Sequence, residues 1–205
     1  MAHLSFILDP IPPFRLDLTV WAIRRRPENA IDRWDGETYE RVFAIRGKSV
    51  LTSVTQSGGV NAPRLEVTAS AAYLPTVTRN AITAALERLL GLRVDLTSFY
   101  QRANEDTRLH ELASRFRGLK PPRFPTVWEG LVNGIACQQF SLTVGILLLN
   151  RLAALRGLAS GKDDGGRTAL VSLFPPQSTW RVTHAPSADQ RRPPYCDRAG
   201  TLVFG

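Results

Sequence analysis

The spacing of apolar and polar residues changes period along the chain. Phe14-Arg15-Leu16-Asp17-Leu18 alternates with period 2, as a half-buried strand does. Trp21 to Arg26 reads as helical and stops at Pro27. Tyr39 to Ile45, Ser49 to Gln56 and Arg64 to Ser70 read as strands, with turn signals at Gly47-Lys48 and Gly58-Gly59. This predicts a meander. From Arg79 to Leu90 the period lengthens: Ile82, Ala85, Leu86, Leu89 and Leu90 share one helical face, and Gly91 stops it.

Beyond this point the pattern is helical. Asp95 can cap a helix through Phe99 and Tyr100. Arg108 to Phe116 carries Leu109, Leu112, Ala113 and Phe116 on one face. The connector Gly118-Leu119-Lys120-Pro121-Pro122-Arg123-Phe124-Pro125 is cationic and extended, because residues before proline avoid the helical region. Thr126-Val127-Trp128-Glu129 is a capping box. The helix it opens carries Val127/Trp128, Leu131/Val132 and Ile135/Ala136 on one face and ends at Gln138 or Gln139. Ser141 can cap the next helix, Leu142 to Leu155, whose nearly all-round apolar surface predicts a central place in a core. Gly161 to Gly166 reads as a loop.

Between Phe174 and Leu202 the only large aliphatic residue is Val182, among five prolines and four arginines. Such a stretch cannot offset its ordering entropy by burial, so a disordered or loosely attached tail is expected. The fold class is α+β. An N-terminal antiparallel sheet unit with two helices (1–93) is followed by a helical unit (94–174) and an irregular tail (175–205).

Composition narrows the function classes. The formal charge is +8, with 26 Lys+Arg against 18 Asp+Glu. Only Lys48, Lys120 and Lys162 are lysines, so the excess is arginine. It is either a footprint for a polyanion or the mark of a GC-rich gene. Cys137 and Cys196 make neither a disulfide framework nor a metal site, and His3, His110 and His184 lack ligand spacing. No metal or other cofactor is expected, and a reducing cytoplasm is the natural compartment. Asp9 and three prolines interrupt any leader, and Leu142 to Leu155 is too short to span a bilayer.

Four segments together carry a resemblance: Leu16 to Asn29, Asp32 to Gly36, Arg115 to Thr126, and Leu131 to Ser141. With their order, a sheet unit before a Pro-rich connector and an apolar helix ending in Gln, they resemble the DNA-3-methyladenine glycosylase II family. That family belongs to the helix-hairpin-helix DNA glycosylase superfamily. The resemblance covers residues of about 14 to 174. It implies base-excision repair: a monomer binds double-stranded DNA from the minor groove and flips an alkylated base, such as 3-methyladenine, into an aromatic pocket. Ring faces attract such a cationic base by about 0.5–2 kcal/mol each.

The resemblance also assigns residues. Gln138 and Gln139 end the helix that enters the minor groove, and Gln139 falls where a wedge fills the gap left by the flipped nucleotide, or the pair is a polar helix end capping its own carbonyls; Ser141 completes this turn. Trp21 falls where the sheet unit lends an aromatic to the pocket, and it can equally be a core tryptophan. Lys120 and Arg123 are either a phosphate clamp or a solvated loop. Arg24, Arg25 and Arg26 read as an exposed helix end, and Cys137 as a small buried hydrophobe.

The superfamily's Gly/Pro-rich hairpin and the aspartate that follows it have no match after Ser141: Asp163, Asp164, Asp189 and Asp197 are all misplaced. No catalytic residue is therefore assigned. The chain reads as the front of a glycosylase, with an incomplete helical domain, joined to an unrelated tail such as a frameshift produces. The expected activity is doubtful for this reason. The alternatives are a non-catalytic DNA-binding fragment and a nonfunctional product. Exposed apolar surface over Leu142 to Leu155 is the expected sign of incompleteness.

Overall fold

A computed structural model describes residues 2–156. Five antiparallel strands form one sheet in the order β1-β5-β4-β3-β2. The strands are β1 (Ala2–Leu8), β2 (Arg33–Trp34), β3 (Thr38–Ile45), β4 (Lys48–Ser57) and β5 (Arg64–Ala71). The β3-β4-β5 meander matches the period-2 runs. Along β5, Leu65, Val67 and Ala69 are buried while Arg64, Glu66 and Thr68 face solvent. The inner face packs on α1 (Leu16–Arg24) and α2 (Thr78–Leu89), and one core joins Val20 and Ile23 to Val54, Leu65, Ile82 and Leu86.

Phe14–Leu18 is not a strand. Leu16 starts α1, with Arg15 extended just before it. Five alternating residues cannot be told from a helix's first turn, and Leu16, Val20 and Ile23 continue at helical spacing, all buried. The sheet edge that a strand there would use is held instead by β1, which pairs with β5 from Ala2↔Ala71 to Leu8↔Leu65.

Four helices follow: α3 (Thr97–Ala103), α4 (Thr107–Arg115), α5 (Val127–Gln138) and α6 (Leu142–Arg156). Asp95 holds the start of α3 by accepting from the N–H of Thr97 at 2.8 Å and its hydroxyl at 2.6 Å. Asp106 caps α4 through the N–H of Leu109. The expected apolar face of α4 is largely open: Leu109 and Leu112 are exposed, while Ala113 is buried.

The connector between α4 and α5 is extended, and it is stitched to the sheet unit. The N–H of Arg15 donates to the Gly118 carbonyl at 2.8 Å, and that of Arg123 donates to the Leu89 carbonyl at 3.2 Å. Gly118 has φ +91, and a Cβ there would lie 3.0 Å from the Arg15 nitrogen, so both conformation and space require glycine. Gly91, the stop after α2, has φ +62 and lies under the connector: a Cβ would meet the Pro121 oxygen at 3.1 Å.

Two expectations for α5 and α6 are corrected. The apolar face of α5 is buried only in part: Val132 and Ala136 pack on the small core with α6, whereas Val127, Leu131 and Ile135 are exposed, and Glu129 and Asn133 are buried. The sheet unit presents arginines to this helix, and these select its polar side. Helix α6 is not central. Ile146, Leu149 and Ala153 form a small core with Ile31, while Val144, Leu147, Leu148 and Leu155 are exposed. An all-round apolar helix needs cover on every side, and among the described residues it has cover on one. The Gly161–Gly166 loop and the tail lie outside the described residues.

Candidate nucleic-acid interface

Helix α1 ends at a sharp reversal. Arg25 has φ +60, unusual for a residue with a side chain, and its N–H donates to the Trp21 carbonyl at 3.0 Å. The turn opens a cleft of about 400 Å³ lined by Asp17, Trp21, Arg24, Arg25, Arg26 and Trp34. Trp21 is 62% exposed and stacks on Phe116 at the end of α4, with ring centroids 6.2 Å apart and planes 15° apart. Its alternative reading as a core tryptophan does not hold. It stands where an aromatic ligand could stack on it.

The three arginines are not simply an exposed helix end. Arg24 and Arg25 are half-buried, and only Arg26 is exposed. Arg25 Nη2 donates to Asn133 Oδ1 at 2.6 Å, and Nη1 lies 3.5 Å from Cys137 Sγ. Cys137 is half-buried: it packs against the small core of Ile31 and α6, and its Sγ also lies beside the polar Asn133 and Arg25 side chains. Arg24 Nη2 donates to the Pro27 carbonyl at 2.9 Å, while its Nε is buried without a partner. Arg25 therefore joins the cleft to the last turns of α5.

Gln138 closes α5, Gln139 follows as its cap residue, and both are exposed, as is Phe140. Ser141 is exposed, and its Oγ accepts from the N–H of Val144 at 3.4 Å at the start of α6. Arg123 is exposed. Lys120 is not a phosphate clamp. It has 0% exposure, and its Nζ donates to the Val94 carbonyl at 2.5 Å. Burial lowers its pKa below the ordinary lysine value, and Asp95 offsets part of this. The prolines extend the connector, but the N–H of Lys120 bonds to Thr19 on α1 and that of Arg123 to Leu89 on α2, and the Lys120 side chain is directed inward.

A buried polar cluster carries α5 on the sheet. Arg41 Nη1 pairs with Asp32 Oδ1 at 2.6 Å, its Nη2 pairs with Glu129 Oε2, and the Tyr39 hydroxyl donates to Asp32 Oδ1 at 2.7 Å. Burial works against the guanidinium charge, but Asp32 and Glu129 outweigh it and hold the Arg41 pKa above its ordinary value. Burial, then Asp32, raises that of the Tyr39 phenol. The sequence carried a signal for this cluster. Tyr39, Arg41, Phe43 and Ile45 share the period of one strand face, and a charge at an apolar register position demands a partner. Glu129 reads as half of a capping box. Thr126 Oγ1 does accept from the Glu129 N–H at 3.1 Å, but the carboxylate goes to Arg41 instead of back to the helix start.

The fold has a counterpart among solved structures of DNA glycosylases. The 3-methyladenine DNA-glycosylase from Archaeoglobus fulgidus superposes with a TM-score of 0.67 at 18% identity, over 83% of this chain. The fold is DNA glycosylase-like, and at this identity the likeness speaks for the fold alone. The chain spans 56% of the length of that protein. No family profile and no curated protein sequence matches the chain. No helix among the described residues is long and apolar enough to cross a membrane.

Proposed function

We propose that this chain binds duplex DNA as part of an N-glycosylase of base-excision repair, which removes alkylated bases after flipping them into the Trp21 cleft. The observation that carries the reading is one juxtaposition. An accessible tryptophan stands in a cleft with three arginines, and Arg25 bonds this cleft to the helix that ends in the exposed Gln138–Gln139 turn. Stacking on Trp21 would hold an everted base. Gln139 would fill the gap it leaves, with Gln138 and Ser141 along the groove and Arg123 against phosphate. In this reading the chain acts as a monomer in the cytoplasm. Residues 1–93 form the sheet unit, 94–174 part of the helical unit, and 175–205 lie beyond both.

A second reading, binding without excision, is favoured by Asp17. It is the carboxylate on the cleft, and Arg15 holds both its oxygens, at 3.1 and 2.5 Å. A carboxylate so engaged is a poor activator of water. Release of free base from alkylated duplex supports the enzyme, and tight binding with no release supports the second reading. Both predict that Gln139→Ala weakens binding to abasic duplex by roughly 5- to 150-fold, the equivalent of about 1–3 kcal/mol, with unchanged thermal stability. Unchanged affinity removes Gln139 from the interface.

A further inference from the structure

One residue is bonded both to Trp21 and to α5. The N–H of Arg25 donates to the Trp21 carbonyl at 3.0 Å, and its guanidinium reaches across to Asn133 Oδ1 at 2.6 Å and Cys137 Sγ at 3.5 Å. Asn133 and Cys137 are one helical turn apart on one face, and Gln138 follows directly. The backbone at Arg25 disfavours any side chain: φ +60 with ψ −35 suits glycine. A residue held in so sparse a region persists only where its surroundings over-determine it, and such positions cluster where geometry serves function.

Resting on the reading above, we infer that Arg25 is a positioning residue. It ties the Gln138–Gln139 turn to Trp21, so that stacking of an everted base and filling of its gap reinforce each other. The Arg41–Glu129 pair holds the first turn of α5, far from that turn along the helix, whereas Arg25 grips the last two turns, which carry it. Loss of the Arg25 side chain does not orphan Asn133, because Asn133 Oδ1 also accepts from Cys137 Sγ at 3.7 Å. Glycine at this position would relieve the positive φ and offset the lost bond. The side chain therefore serves alignment more than stability, which separates a positioning role from a merely structural one.

The test is a double-mutant cycle on the full chain, with Trp21→Ala and Gln139→Ala made singly and together. The probe is a duplex with one 2-aminopurine·cytosine mispair, a base that everts at low cost, and binding is read by fluorescence anisotropy at fixed salt. The double variant should bind at least about fivefold more tightly than independent effects require. In an Arg25→Gly background the same cycle should become additive, with the melting temperature unchanged. Arg25→Lys keeps the charge but cannot hold Asn133 and Cys137 together, so it should also give additivity, and it serves the cycle if the glycine variant does not fold. A cycle that stays coupled in either background, additive effects in the native chain, or a clearly lower melting temperature for Arg25→Gly overturns the positioning role and leaves the base-flipping reading standing. Binding unaffected by either single change, Trp21→Ala or Gln139→Ala, overturns both.

Discussion

The α5–α6 pair is richer in apolar residues than the sheet unit, yet it is the sheet unit that has the larger core. Nineteen buried residues from the sheet, α1, α2 and the segments beside these helices form one continuous core, whereas Ile31, Ile146, Leu149 and Ala153 are the four at the heart of the other. Apart from the apolar contact of Ile31, polar bonds make the attachment of α5 and α6 to the sheet unit. Arg41 pairs with Glu129, Arg25 donates to Asn133, and Asn150 Nδ2 donates to the Glu28 carbonyl at 2.7 Å while its Oδ1 accepts from the Ala30 N–H. The difference teaches that apolar content stabilises only where a second surface faces it. Polar bonds then fix the orientation of a helix pair that has too little core of its own.

The comparison can be broken most forcefully at the sheet core. Phe14→Ala removes a side chain with 0% exposure and should cost about 3–5 kcal/mol in chemical denaturation. A loss under about 1 kcal/mol would mean that the core is loosely packed. Glu129→Ala strips Arg41 of one carboxylate in a buried site and should cost about 3 kcal/mol. Limited proteolysis should then cut first within 127–156, and uniform cleavage across the chain would show that the cluster does not anchor α5.

A smaller effect should appear only in alkali. The folded-state pKa of Tyr39 is raised above its ordinary 10.0, so the unfolded chain loses that proton first. Stability from this group is complete below about pH 10 and falls as pH rises beyond it. Tyr39→Phe should remove this part of the alkaline loss in pH-dependent denaturation. The smallest effect belongs to the open face. Leu131→Lys, at a position 58% exposed, should change stability by no more than about 0.5 kcal/mol while raising solubility. A loss of several kcal/mol would show that this face is covered.

Elements whose signals are local were legible from the residues. Gly91 and the Ile82–Leu90 stripe mark α2, and Thr126 and Ser141 mark the starts of α5 and α6. The exposed turn at Gln138 and Gln139 was legible too, because polar residues end an apolar run there. The site's arginines were not. Arg24, Arg25 and Arg26 look like one solvated run, but the reversal at Arg25 sends its side chain to α5 and leaves Arg24 half-buried. Lys120 was misleading for a related reason, since its Val94 partner lies on a segment that only the folded connector brings near.

By itself the sequence determined where most helices and strands begin and stop, α1 excepted, because caps, turn glycines and hydrophobic period act over a few residues. Tertiary structure decided which side of each element is inside. Arg41 turned the polar face of α5 inward, β1 took the sheet edge beside β5, and Trp21 was left accessible beside Phe116. These outcomes depend on partners distant in sequence, and a buried charge or an open ring is defined only by what the fold sets against it.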